Sequence, residues 1–126
     1  MFTLDLPTIL QSLRPGEKWC VRGDQKSYSS LEWMDSTAAP TEQELLDAEL
    51  AATKASKIAA IKVEAQARIL VAHPAWKQSN ASLGLDDALT IQALKDGIAA
   101  IRTASNVAEA AVAALTLVAD VVAFTW

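Results

Sequence analysis

Residues 40–74 read PTEQELLDAELAATKASKIAAIKVEAQARILVAHP, and this stretch decides the fold. Thr41 and Glu44 have the spacing of a capping box, which marks the start of a helix. Pro74 marks the end of the same helix, because a proline disfavours the helical conformation of the residue before it. Between these limits apolar residues, most of them alanine, recur at helical spacing. The sequence therefore predicts a helix over about residues 41–72 with an apolar face of small side chains.

A second helical stretch follows Asp86, whose carboxylate can cap a helix start. From Ile91 an apolar stripe runs to the last residue in alternating steps of three and four, which is the pattern of a heptad seam. The seam predicts an oligomer interface, preferably of a trimer. Its residues are Ile91, Leu94, Ile98, Ile101, Ala108, Val112, Leu115, Val122 and Trp126. Ser105-Asn106 has the character of an N-cap, so a helix over about residues 86–125 is either continuous or broken near residue 105.

The N-terminal residues 1–36 predict a small αββ module. Asp5 and the proline that soon follows it favour a short helix over Leu6–Leu13. Two β-prone runs, one around Trp19 and one around Trp33, flank a Gly-Asp turn and predict a hairpin. A lone hairpin is only marginally stable in water. We therefore expect the short helix to cover the apolar side of the hairpin.

These elements predict a mainly α fold class in two parts. The αββ module of residues 1–36 is followed by a helical region of residues 37–126, whose long helices form a helical hairpin or a coiled-coil-like oligomeric stalk. Hydrophobic residues make up 52% of the 126 residues, but many are alanine, which buries little area. This composition favours thin helical packing or oligomerisation over a thick globular core.

The connection after the first long helix is predicted to fix a chain reversal. Pro74 ends the helix, and Trp76 can fold back on the helix end. Gln78 and Asn80 can hydrogen-bond the carbonyl groups that a helix end leaves without partners. Arg68 can reach a carboxylate across the helical hairpin. The residues assigned to this structural turn are Arg68, Pro74, Trp76, Lys77, Gln78 and Asn80.

Composition excludes several function classes. The net charge of −4, with 11 basic and 15 acidic residues, argues against a nucleic-acid module, which needs a clustered basic face. Glu109 and Asp120 lie in the apolar C-terminal stretch and argue against a membrane span. Cys20 is the single cysteine and His73 the single histidine, too few nitrogen and sulfur ligands for a usual zinc site. We expect no enzyme, no cofactor, no metal and no small-molecule substrate.

Three groups of residues, in this order along the chain, are similar to sequences found among phage tail proteins. The first comprises Leu13-Arg14-Pro15-Gly16-Glu17-Lys18-Trp19, Leu31-Glu32-Trp33 and Pro40-Thr41-Glu42-Gln43-Glu44-Leu45. The second comprises Arg68-Ile69 and Pro74-Ala75-Trp76-Lys77-Gln78-Ser79-Asn80. The third comprises Ile101-Arg102, Ser105-Asn106 and Glu109. In this shared order the chain resembles small structural proteins associated with phage tail fibres and baseplates.

The resemblance implies a structural component of a bacteriophage tail fibre or baseplate, made in the host cytoplasm and located in the virion tail. Its expected partners are other copies of the same chain and other phage tail proteins. The resemblance carries no catalytic residues to this sequence. Two alternatives remain open: a tail-fibre assembly chaperone that is absent from the finished virion, and a small host-directed regulatory protein.

Overall fold

The structure, a computed structural model, describes residues 1–126 and is mainly α, which confirms the predicted fold class. The helices are α1 (Leu6–Leu13), α2 (Glu42–Ala72), α3 (Ala75–Ser82), α4 (Ala88–Ala114) and α5 (Val118–Ala123). The strands are β1 (Trp19–Val21) and β2 (Leu31–Trp33). The chain divides into two compact units: residues 1–56 with 115–123, called here the N-terminal unit, and residues 57–114 with 124–126, called here the helical unit.

The core of the N-terminal unit is built on α1. Leu6, Ile9 and Leu10 lie on one face of this helix and are fully buried, because their spacing of three and four residues brings them to the same side. Strands β1 and β2 pair antiparallel, with Trp19 opposite Trp33. Both tryptophans are half-buried and pack against the α1 core. The predicted cover of the hairpin by the short helix is therefore confirmed.

The connection of the hairpin differs from the prediction. Residues 22–30 join the two strands; they contain the predicted Gly23-Asp24 but continue through a 3₁₀ turn over Tyr28–Ser30, so the connection is longer than predicted. The Tyr28 hydroxyl donates a hydrogen bond to the Pro40 carbonyl oxygen at 2.8 Å, and the Tyr28 side chain packs against the same core as the two strands. Asp5 precedes α1 as predicted, but its side chain makes no capping hydrogen bond.

The start of α2 is the capping box that the sequence predicts. The Thr41 N–H donates to Glu44 Oε2 at 2.7 Å, and the Glu44 N–H donates to Thr41 Oγ1 at 3.2 Å. Each residue thus satisfies a backbone donor of the other. The helix ends at Ala72, directly before His73-Pro74, which confirms the predicted length.

One buried carboxylate of α2 fixes the start of the chain. Glu49 is 2% exposed, and its Oε1 accepts hydrogen bonds from the backbone N–H groups of Thr3 at 2.5 Å and Leu4 at 2.7 Å. Phe2, next to this clamp, is buried in the α1 core. The sequence analysis missed Glu49, because an acidic residue within an alanine-rich helix carries no signal that it is buried.

In the helical unit, the later turns of α2 and α4 lie antiparallel. The Lys62 ammonium is 3.7 Å from Glu109, whereas His73, further along α2, meets Gly97, which lies earlier in α4. The buried side chains of this pair of helices are Ile61, Ala65, Ile69, Ser105, Ala108 and Val112. Three of these six side chains, Ala65, Ser105 and Ala108, are small, which lets the two helices approach closely.

Of the two alternatives that the sequence left open at residue 105, the structure has the continuous helix, because α4 runs through Ser105-Asn106. Ser105 is buried, and its hydroxyl donates to Glu109 Oε1 at 3.2 Å within the same helix, so it packs and does not cap. The interruption lies instead at residues 115–117, between α4 and α5. Val121 of α5 is fully buried and belongs to the N-terminal unit.

Candidate interaction surface

The chain reverses after Pro74 as predicted, but the segment that carries the reversal contains a helix, α3, which the sequence analysis did not predict. Proline ends one helix but is also well suited to begin the next, because its fixed φ matches the first helical turn. The Pro74 carbonyl accepts hydrogen bonds from the N–H groups of Lys77 at 2.9 Å and Gln78 at 3.2 Å. Gln78 Nε2 donates to the His73 carbonyl oxygen at 2.6 Å, the role that the sequence predicts for it.

Helix α3 ends in a Schellman motif at Gly84. The Leu85 N–H donates to the Asn80 carbonyl at 2.9 Å, and the Gly84 N–H donates to the Ala81 carbonyl at 3.2 Å. Gly84 has a φ of 72°, the left-handed conformation that favours glycine at this position. Asn80 therefore contributes through its backbone oxygen, and the predicted side-chain hydrogen bond of Asn80 is wrong.

The cap of α4 is Asp87 and not Asp86 as predicted. Asp87 Oδ1 accepts a hydrogen bond from the backbone N–H of Thr90 at 2.7 Å. The hydrogen bonds from the Thr90 hydroxyl and then from the Thr90 N–H hold the pKa of Asp87 below its ordinary value. Asp87 caps α4, and the Asp86 carboxylate makes no hydrogen bond within the chain.

A pocket of about 370 Å³ opens where the end of α2, helix α3 and the first turns of α4 meet. Its lining combines an apolar floor with aromatic, cationic and anionic groups. The lining residues are Ala72, His73, Trp76, Lys77, Asp86, Thr90, Ala93 and Leu94. Trp76 is 63% exposed and does not fold back to bury itself on the helix end, contrary to prediction. The Lys77 ammonium stands 5.5 Å from the centre of the Trp76 ring.

Three large apolar side chains lie close to the pocket-lining residues in the chain and are open to solvent. Leu83, Leu85 and Leu89 are exposed by 74%, 70% and 83%. Leu85 and Leu89 directly precede the pocket-lining residues Asp86 and Thr90 in the chain. We call the set Trp76, Lys77, Leu83, Leu85, Asp86 and Leu89 the corner surface. The sequence analysis assigned no role to these leucines, because none of them belongs to the predicted turn or to the predicted heptad seam.

The predicted oligomer seam is used partly inside the chain. Ala108 and Val112 are buried between α2 and α4 of the same molecule, so their assignment to an oligomer interface is wrong. The physical reason is that the small side chains of α2 allow the seam to pack intramolecularly. Ile91, Leu94, Ile98, Ile101 and Leu115 are half-buried. Beyond the interruption after Ala114 the register changes, and Val122 is 60% exposed.

Trp126, the last member of the predicted seam, is held by α2. The Arg68 guanidinium carbon lies 3.9 Å from the centre of the Trp126 ring, and Arg68 Nη2 donates to the Trp126 backbone oxygen at 2.7 Å. Trp126 Nε1 donates to Glu64 Oε2 at 3.2 Å, and Arg68 pairs with Glu64 at 2.6 Å. Arg68 thus finds its carboxylate on its own helix and not across the hairpin.

A second cleft, of about 620 Å³, lies in the N-terminal unit beside the end of α1. Its one arginine, Arg14, is paired with Glu17 at 3.3 Å, so the guanidinium is already engaged. No three histidine, cysteine, aspartate or glutamate side chains come together in a way that could hold a metal ion. None of the helices combines the length and the hydropathy needed to cross a membrane.

No protein-family model, curated protein or solved structure matches the chain. The corner surface combines exposed apolar side chains, a pocket with a partly apolar lining and one charge of each sign. Such a surface suits protein–protein contact, in which apolar side chains give affinity and charges fix the orientation.

Proposed function

We propose that the chain is a structural component of a bacteriophage tail fibre or baseplate, which acts by binding other proteins. The observation that carries the proposal is the corner surface. It is built by the Pro74–Asn80 motif that resembles phage tail proteins and by the helix start that follows. Four large apolar side chains stand open to solvent there. Exposed apolar patches of this kind mark interaction sites in proteins that are otherwise well packed.

The two units of the chain fit this role separately. The N-terminal unit has its own core and provides a folded module that can dock on a neighbouring tail protein. The helical unit presents the corner surface for contact with another copy of the chain and with other tail proteins as partners. In this proposal the protein is made in the host cytoplasm and resides in the virion tail.

Two other functions use the same surface in different ways. A tail-fibre assembly chaperone would cover apolar surfaces of a fibre protein transiently and then leave. A host-directed regulator would bind a host protein through it. The three functions differ in where the chain is found after infection, and this is measurable.

Quantitative mass spectrometry of purified virions, with the infected lysate measured in parallel, tests the proposal. A structural component is expected in the virion at a fixed ratio to a known tail protein, which stays constant through repeated purification. A chaperone would be abundant in the lysate and missing from the virion. A regulator would be missing from the virion and would co-purify with a host protein. Either of the last two results would contradict the proposal.

A further inference from the structure

The pocket of the corner surface has the size and lining to accept a protruding side chain. Its volume of about 370 Å³ lies near the lower end of the range of about 300–1,000 Å³ in which proteins bind ligands. Leu94 and two alanines make the floor apolar, and the indole of Trp76 forms one wall. An aliphatic side chain would thus be buried on several sides. The chain itself fills this space with none of its own leucines, since Leu83, Leu85 and Leu89 remain exposed.

The charges at the pocket identify what kind of partner fits it. Lys77 and Asp86 both line the pocket, yet no ion pair joins them, and neither has another charged partner in the chain. A uniformly acidic or basic partner would pair one of these charges and leave the other covered and unpaired, which is costly. A partner that carries one cation and one anion beside an exposed leucine would satisfy both. A second copy of the same chain carries that set.

We propose that the corner surface binds a second copy of this chain, with Leu89 of one copy entering the pocket of its neighbour and Lys77 pairing with the neighbour's Asp86. Leu89 is the most exposed of the surrounding leucines, and it precedes Thr90 of the pocket wall. Because the pocket, the leucine and both charges lie on the same surface of every copy, the contact is reciprocal and joins two copies about a two-fold axis. This inference names the surface for the self-association in the proposed function, but it does not require a phage origin.

The proposed contact uses only one member of the predicted heptad seam. Ala108 and Val112 are covered inside the molecule, whereas Leu94 forms the floor of the open pocket. The interface therefore lies at the α3–α4 corner and the early part of α4. It does not run along the whole helix to Trp126.

Sedimentation equilibrium of the purified full-length chain over micromolar concentrations tests the inference. The wild-type mass is expected to level off at two copies. Leu89→Asp should be monomeric while keeping its helical circular dichroism, because an acidic residue in the first turn of a helix is favourable. Val63→Asp, at a side chain 71% exposed on α2, is the matched control and should associate like the wild type.

A charge exchange tests the orientation of the contact. Lys77→Glu and Asp86→Lys should each weaken association by about tenfold or more, because each brings like charges together in both pairs of the contact. The double variant Lys77→Glu/Asp86→Lys should restore it, because the pairs form again with exchanged signs. A monomeric wild type would overturn the inference, as would a double variant no stronger than the single ones. Such a result would leave the virion assay of the proposed function untouched.

Discussion

The carboxylate of Glu49 gives a sharp prediction about how the N-terminal unit holds the start of the chain. Its Oε1 accepts two backbone N–H groups, from Thr3 and Leu4, and the side chain is 2% exposed. In Glu49→Ala both donors lose their acceptor, and Phe2 beside them loses the clamp that keeps it in the core. Asp47 is an exposed carboxylate on the same helix and provides a matched comparison.

The size of the effect follows from the two hydrogen bonds. A hydrogen bond to a charged group contributes about 1.5–3 kcal/mol, and part of this is regained where water reaches the freed N–H groups. Glu49→Ala should therefore lower the free energy of unfolding by about 2–4 kcal/mol. Glu49→Gln keeps an acceptor oxygen but loses its charge, so it should cost about half as much. Asp47→Asn should stay within about 0.5 kcal/mol of the wild type.

Two measurements check this prediction. Urea unfolding followed by circular dichroism gives the free energy of unfolding of each variant. Amide hydrogen exchange by NMR gives the local effect: the N–H groups of Thr3 and Leu4 should be protected in the wild type and exchange freely in Glu49→Ala. If both amides exchange equally fast in the two proteins, or if Glu49→Ala is as stable as Asp47→Asn, the clamp does not exist as described.

Three further predictions concern the helices. An added Cβ at Gly97 would lie 2.5 Å from His73 Nε2, so Gly97→Ala should destabilise the protein by about 1–3 kcal/mol. In a His73→Ala background, Gly97→Ala should instead stabilise the protein by about 1 kcal/mol, because alanine favours the helix more than glycine does. Urea unfolding measures both changes, and the same sign for Gly97→Ala with and without His73 would contradict the contact between Gly97 and His73. Thr41→Ala should cost about 1 kcal/mol through loss of the capping box, with no loss expected for Thr41→Ser, measured in the same way. Because the pKa of Asp87 is lowered in the folded protein, its carboxylate stabilises the fold at neutral pH, and this contribution is lost as the pH falls through the folded-state pKa. An NMR titration of the Asp87 carboxyl that gives the ordinary value, or the same value in Thr90→Val, would contradict this.

The sequence predicts those features of the fold that local chemistry determines. The capping box at Thr41, the end of α2 before Pro74 and the bounds of α1 each follow from a few neighbouring residues, and the structure has all three. The packing of α1 on the hairpin was also predicted, because the apolar face of the two strands has to be buried against another element. Such predictions succeed because the decisive interactions lie within a few residues of each other.

The features that the sequence analysis missed depend on contacts between distant residues. No residue near Glu49 in the sequence indicates that its carboxylate accepts hydrogen bonds from Thr3 and Leu4. The heptad pattern, for its part, does not show whether its apolar side chains pack against α2 of the same chain or against another copy. The Schellman motif at Gly84 could have been found, because a glycine between Leu83 and Leu85 after a short polar helix is a known helix end. A helix end at Gly84 would have indicated that Leu83 and Leu85 lie at the end of a helix, where they are exposed.

The most direct test of the central claim is to locate the chain within the virion. Purified particles can be dissociated into heads and tails, the two fractions separated on a density gradient, and the chain quantified in each by mass spectrometry against a known tail protein and a known head protein. The proposed function predicts that the chain follows the tail fraction at a constant ratio to the tail protein. Recovery with the heads, or absence from both fractions of intact, infectious particles, would contradict the claim that it is a structural protein of the tail.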